Sequence, residues 1–89
     1  YGISVLRDSQ EALSNRYARS LEQTIDDGDC FVDSHGVPLI QGALATFSCK
    51  MSALHPGGDH HIIVGEVVGF DSHSGDPLVF FGGAYSRLG

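Results

Sequence analysis

The chain has 89 residues, which allow one domain whose core is thin unless other structure completes it. Eleven acidic residues against five Lys and Arg give a formal charge of −6, and the scattered bases argue against a nucleic-acid partner. No apolar stretch reaches the length of a membrane span or has the flanks of a signal peptide, so the cytoplasm is the expected compartment.

The chain is expected to begin with a strand followed by a helix. Residues 1–6 place alternate apolar side chains on one side, which is typical of a strand. The segment from residue 9 to about residue 20 has Leu13, Tyr17 and Leu21 at four-residue spacing, which predicts an amphipathic helix of about three turns. Side-chain oxygens of the polar residues before it are available to cap this helix.

The periodicity disappears between residues 21 and 38. Turns are predicted at 26–29 and 34–36, with a short extended segment at 30–32 between them. The three acids of the first turn lack the spaced ligands and distal Glu of a calcium loop, so we interpret it as a solvated turn. The chain returns to the core at residues 37–40.

Residues 43–70 predict one long β-hairpin with its tip at residues 56–61, where two Gly and a Pro reverse the chain. The second arm, residues 62–70, has apolar positions on both faces, as expected of a strand covered on both sides. The first arm alternates with period two, and its predicted buried positions are Ala43, Ala45, Phe47, Cys49, Met51 and Ala53.

The end of the chain predicts a polar reversal at 71–77 and a strand at 78–81. Gly82 and Gly83 follow, where positive φ is allowed, and Tyr85 and Arg87 come last. In total we predict five extended segments and one helix. Short antiparallel strands with Gly-rich corners indicate a barrel or part of one.

The hairpin tip carries the residues best suited to chemistry. His60 and His61 are neighbours on a strand, so their side chains point to opposite faces and cannot easily bind one ion, although His55 could approach His60. Asp59 and His60 could form a base and its orienting group, but no nucleophile elbow accompanies them. On the residue pattern alone, the favoured interpretation of His60 is a polar residue that closes the hairpin. No metal site is predicted, and Cys30 and Cys49 are expected to be buried thiols.

A dinucleotide site of the Rossmann type is excluded by position. The pairs Gly57-Gly58 and Gly82-Gly83 lie at strand ends rather than before a helix, and no phosphate-binding loop is present.

Five segments in order, YGISVL, DSQEALSNRYA, GVPLIQGALATFSCKM, HPGGDHHIIVGEVVGF and PLVFFGGAYSRL, resemble a known family. They are similar to the C-terminal half of the flavin reductase-like, FMN-binding split-barrel domains, with Gly-Asp-His and the terminal Gly-x-Tyr as the most specific parts. These domains are small NAD(P)H:flavin oxidoreductases that serve as reductase components of two-component flavin-dependent monooxygenases.

The resemblance implies a fold and an extent. The expected fold is mainly β, a partial six-stranded split β-barrel with one flanking α-helix. Residues 1–89 would be the C-terminal portion of a single domain, with the N-terminal half that holds the isoalloxazine absent from this sequence. A homodimer is expected, because split-barrel flavoproteins generally place the site at the subunit boundary.

The resemblance also implies which residues form the site. His60 would orient the nicotinamide or the flavin, and the segment with the final Tyr would line the pyridine-nucleotide side. The end of the helix would contact the phosphate or adenylate part of the flavin, and Arg19 and Arg87 suit phosphate groups in this acidic chain. The cofactor-binding candidates are therefore Arg19, Ser20, His60, Ala84, Tyr85, Ser86 and Arg87.

The function implied is reduction of FMN or FAD by NADH or NADPH through hydride transfer, with His60 as the catalytic candidate. The reduced flavin would pass to a separate monooxygenase. Two alternatives stay open on the sequence alone. One is a flavin-binding split-barrel module without turnover, and the other is a structural fragment whose open sheet edges pair with another chain.

Overall fold

The computed structural model describes residues 1–18 and 28–88. This part of the chain is mainly β, with two more strands than the five extended segments predicted. One 3₁₀ turn (Asp8–Gln10) precedes the helix. The elements in order are β1 (Gly2–Val5), α1 (Glu11–Ala18), β2 (Cys30–Val32), β3 (Pro38–Ile40), β4 (Ala45–Gly57), β5 (His60–Ser72), β6 (Val79–Phe81) and β7 (Ala84–Ser86).

The predicted long hairpin is confirmed and forms most of the largest sheet. Strand β4 pairs antiparallel with β5, and β1 pairs with the first part of β4, which gives the order β1-β4-β5. The reversal is tighter than predicted, because only Gly58 and Asp59 lie between the strands. Gly58 has a φ of 74°, a left-handed conformation that glycine adopts without steric cost. The tip is therefore a two-residue turn that holds His60 at the start of a strand.

The prediction of which β4 side chains are buried is wrong in the middle of the strand. Thr46 and Ser48 are 9% and 2% exposed, whereas Met51 is 56% exposed. The pairing register shifts between Ser48 and Cys49 and again after Met51, so the period-two rule does not hold across these irregularities. Ser48 and Cys49 are consequently both buried although they are neighbours.

Strands β2 and β3 form a second hairpin that packs beside β1. Leu39 on β3 is 5% exposed and belongs to the small apolar core, together with Ala43 and Cys49. A Cβ added at Gly2 would lie 2.7 Å from both the Leu39 side chain and the Pro38 carbonyl oxygen. Glycine at this position therefore allows β1 to approach β3 closely.

The helix begins with a different cap from the one predicted. The backbone N–H of Arg7 donates to the side-chain oxygen of Gln10 at 2.8 Å, so a glutamine inside the first turn supplies the acceptor. Leu13 and Tyr17 are half-buried, as their spacing predicts. The predicted end of the helix near residue 20, and Leu21, lie outside the described residues.

The second arm of the hairpin is exposed rather than covered on both sides. Strand β5 is an edge strand of its sheet, and Ile62, Ile63 and Val67 are 52%, 53% and 55% exposed. The three sheets in the described residues remain separate and do not close into a barrel. The expected partial barrel is thus open along β5, where apolar side chains and unpaired backbone groups face outward. No helix in the described ranges is long and apolar enough to cross a membrane.

Candidate functional site

The tip of the β4–β5 hairpin holds His60 in a defined position. The His60 Nδ1 lies 3.0 Å from the Asp59 carboxylate, and the imidazole is 68% exposed. The ring also covers the backbone of Gly57, its cross-strand partner. The hydrogen bond from His60 lowers the pKa of Asp59, so that carboxyl stays ionised beside the ring.

This arrangement determines what the imidazole can do. An ionised acceptor at Nδ1 favours the tautomer that carries its proton there. The His60 Nε2 is then left to accept a hydrogen bond when the ring is neutral, or to donate one when it is protonated. The tip can therefore orient a polar group of a bound molecule.

The register confirms that His60 and His61 face opposite sides of the hairpin. His60 is opposite Gly57, and His55 is opposite Ile62, so His55 and His60 share a face two positions apart. His61 is opposite Pro56 on the other face. Within residues 1–18 and 28–88, no group of three or more His, Cys, Asp and Glu could hold a metal ion.

The contact between Gly57 and His60 makes a testable prediction. A Cβ at Gly57 would lie 2.9 Å from the His60 Nε2, so Gly57→Ala displaces the ring while leaving a backbone conformation that alanine tolerates. If His60 orients a substrate, as the family resemblance implies, the KM for that substrate should rise about threefold to tenfold, with little loss of stability. Steady-state kinetics and thermal melting measure the two effects.

Gly28→Ala is the matched control for this change, because no atom lies within 4 Å of the added Cβ and its backbone does not require glycine. Equal kinetics in the two variants would contradict a functional position for the His60 ring.

The β6–β7 hairpin places the other predicted residues on a second surface. Gly82 and Gly83 form its turn with φ values of 64° and 80°, the positive φ that the sequence allows there, although a hairpin was not predicted. The Tyr85 hydroxyl lies 2.9 Å from the Ser14 hydroxyl of α1, and the Tyr85 ring meets Phe80 edge-on with centroids 5.3 Å apart. Tyr85 is therefore held at its tip and along one edge.

The residues next to Tyr85 in the chain are exposed and include one cation. Ala84, Ser86 and Arg87 are exposed, and no ion pair involves Arg87 among the residues that the structure covers. Two other arginines are engaged: Arg7 donates to the carbonyl oxygens of residues 42 and 74 at 2.7 Å, and Arg16 pairs with residue 29 at 3.1 Å. Arg87 can therefore bind an anionic group.

The structure does not bring all the predicted site residues together. The β6–β7 hairpin makes no extensive contact with the β4–β5 hairpin in the described part of the chain, so His60 and Tyr85 belong to hairpins that do not pack closely on each other. Arg19 and Ser20, predicted to contact the flavin tail, lie outside the described residues.

A polar cluster around Asp33 was missed by the sequence analysis. The Asp33 carboxylate accepts hydrogen bonds from the backbone N–H groups of His35 and Val37, each at 2.9 Å, and from the Ser48 hydroxyl. These bonds, that of Ser48 first, lower the pKa of Asp33 to about 2. The available sequence signal was an Asp just before the predicted turn at 34–36, since Asp side chains at such positions accept hydrogen bonds from nearby backbone N–H groups. Its link to Ser48 on β4 had no signal in the sequence.

Comparison with known proteins gives a consistent result. The family of the flavin reductase like domain matches residues 1–89. The chain is 46% identical over 88 residues to an FMN reductase (NADH) of Agrobacterium fabrum, with 99% of this chain and 50% of that protein covered. It is 37% identical over 91 residues to the reductase component of 4-hydroxyphenylacetate 3-monooxygenase of Thermus thermophilus, covering 99% and 54%.

A solved structure agrees with these relatives. An NADH:FAD oxidoreductase of Streptomyces globisporus, in complex with NAD and FAD fragments, superposes with a TM-score of 0.86 at 34% identity, covering 99% of this chain and 55% of that one. The described strands and helix therefore form the expected partial split barrel, which corresponds to about half of the solved structure. The chain spans about half the length of the curated relatives it matches.

Proposed function

The chain belongs to the flavin reductase like domain family, and from that membership we propose that the protein containing it is an NAD(P)H:flavin oxidoreductase. It reduces FMN or FAD with NADH or NADPH and supplies the reduced flavin to a monooxygenase. The observation that carries the proposal is the similarity along 99% of the chain to an FMN reductase (NADH). The relative from Thermus thermophilus, a reductase component, supports the transfer to a monooxygenase.

The β6–β7 hairpin has features that suit a pyridine nucleotide. No atom lies within 4 Å of where a Cβ would stand at Gly82 or Gly83, so a ligand can approach the backbone there. Beside this opening, Tyr85 offers a ring for stacking and Arg87 offers a guanidinium for a phosphate. We therefore assign the nucleotide to Ala84, Tyr85, Ser86 and Arg87. The proposed contacts of Arg19 and Ser20 with the flavin tail rest on the family resemblance.

The chain's own residues act in this proposal by binding and orienting. When bound, the nicotinamide and the flavin supply the hydride chemistry between them, and the protein supplies their alignment. Asp59 holds the His60 ring, which lies over Gly57, and the Nε2 atom of His60 forms a hydrogen bond that orients one of the two cofactor rings. Tyr85 and Arg87 hold the nucleotide. The limited contact between these two hairpins in the described residues agrees with a site that further structure completes.

The apolar surface of β5 supports two further parts of the proposal. We propose that residues 1–89 are the C-terminal portion of a single flavin reductase domain, and that the protein is a homodimer. Exposed side chains such as Ile62, Ile63 and Val67 are ones that folding partners normally cover. We also propose a cytoplasmic location. Cys49 is buried as predicted and Cys30 is half-buried, and both are free thiols, which supports that location.

A spectroscopic titration of the intact protein tests the activity. We expect the visible flavin band to bleach when NADH is added under anaerobic conditions, and NADH oxidation in air to depend on added flavin. A flavin that stays bound and oxidised in excess NADH would instead identify a non-catalytic flavin-binding module. Assembly with no flavin binding, seen by sedimentation, would identify a structural fragment.

A further inference from the structure

We propose that Ser14 is a positioning residue for the nucleotide site, acting through its hydrogen bond to Tyr85. This inference rests on the proposed function, because it takes Tyr85 as the residue on which the nucleotide stacks. The two hydroxyl oxygens lie 2.9 Å apart, and 71 residues separate them in the chain. Both side chains are half-buried, which protects the bond from competition by water.

The need for such a bond follows from how the hairpin is attached. The start of β6 is anchored by the backbone N–H of Leu78, which donates to the Leu6 carbonyl oxygen at 2.9 Å. Strand β7 lies on the far side of a two-stranded sheet of three residues per strand, an arrangement that is marginally stable by itself. The bond to Ser14 ties this far strand to helix α1.

The same bond restricts the Tyr85 ring. Phe80 packs against the ring in a T-shaped arrangement and limits its rotation about the side-chain axis. The Ser14 hydroxyl holds the far end of that axis, so it fixes the direction in which the side chain extends and with it the position of the ring. A ring already in its stacking orientation loses less conformational freedom when the nucleotide binds, so the affinity is higher.

Ser14→Ala in the intact protein tests the proposal. The loss of a hydrogen bond between neutral groups changes a binding constant by about a few-fold to tenfold. We therefore expect the Kd for NADH, measured by fluorescence on the flavin-free protein, to rise about fivefold. The KM for NADH should rise similarly while kcat stays constant. Ser14→Thr keeps the hydroxyl and should restore wild-type binding.

A double-mutant cycle with Tyr85→Phe shows whether Ser14 acts through Tyr85. Ser14→Ala should have no further effect on the Kd when the tyrosine hydroxyl is already absent. Ser52→Ala is the matched control, because the Ser52 hydroxyl also makes one hydrogen bond, to the Val64 carbonyl at 3.1 Å, on a different hairpin. It should leave the Kd unchanged.

The outcomes separate this inference from the proposed function. If Tyr85→Ala weakens NADH binding and Ser14→Ala does not, the positioning role of Ser14 is wrong and the nucleotide site stands. An equal effect of Ser14→Ala with and without the Tyr85 hydroxyl would also overturn the positioning role. If Tyr85→Ala leaves the Kd unchanged, the nucleotide assignment is wrong and the role of Ser14 falls with it.

Discussion

Replacing His60 by alanine is expected to raise the KM for the nicotinamide nucleotide, or to slow flavin reduction, by roughly one to two orders of magnitude, the usual size of an orienting contact. The imidazole is exposed at the hairpin tip, and Asp59 fixes its Nδ1 side. Alanine removes the Nε2 group that would contact a cofactor. Stopped-flow measurement of flavin reduction over a range of NADH concentrations distinguishes weaker binding from a slower step.

His61→Ala is the control for this experiment. It removes the same side chain from the next position, but His61 lies on the opposite face of the hairpin. A loss of activity in His60→Ala but not in His61→Ala supports the site. Both variants remove an imidazole from the same strand, so a general effect on the hairpin would appear in both. Wild-type rates in His60→Ala would show that this residue only closes the turn.

A second large effect is expected for Asp33→Ala, which should lower the melting temperature of the protein by several degrees. The carboxylate joins the turn between β2 and β3 to Ser48 on β4, and it accepts bonds from two backbone N–H groups in that turn. Alanine leaves those donors without their partner, and Ser48 is 2% exposed, so water cannot easily replace the lost bond. Calorimetry of the intact protein measures the change.

The lowered pKa of Asp33 gives this stabilisation a pH dependence. The pKa falls from 3.8 to about 2 on folding, so the unfolded chain binds more protons between these values than the folded one. The contribution of Asp33 is therefore fully present above about pH 4, and it is lost as the pH falls towards 2. Denaturant midpoints should decline more steeply with acid in the wild type than in Asp33→Asn.

The acid experiment needs a control because other carboxyl groups titrate in the same range. Asp71→Asn removes a carboxyl that is 69% exposed, and it should keep the acid dependence of the wild type. The opposite pattern, in which Asp33→Asn loses stability with acid as steeply as the wild type, would show that this carboxylate is not stabilising as an ion.

The elements whose sequence signals come from residues close together in the chain were predictable. Alternating apolar residues and a Gly-rich reversal identified the β4–β5 hairpin, and the four-residue spacing of apolar residues identified α1. Both signals arise within a few helical turns or strand positions. The opposite orientations of His60 and His61 followed from strand geometry alone. The family resemblance was confirmed along residues 1–89, and it came from the order of segments rather than from any single motif.

The errors occurred where a distant partner or an irregularity intervened. Met51 is predicted to be buried because the period-two pattern is continued through the register shift between Ser48 and Cys49, which leaves no local signal. The apolar residues on both faces of β5 predicted a covered strand, whereas it lies at the edge of its sheet. The apolar composition of a strand indicates that its surface needs to be covered, but it does not indicate which segment covers it.

The sequence by itself determined five of the seven described strands, the helix, the position of the hairpin reversal and the family, since each depends on residues close together in the chain or on the order of segments. Only the tertiary structure joined Asp33 to Ser48, 15 residues apart, and Ser14 to Tyr85, 71 residues apart. It also separated His60 from Tyr85 on two hairpins. Side-chain hydrogen bonds of this kind depend on how the elements pack, and packing is set by the whole chain rather than by the residues that meet.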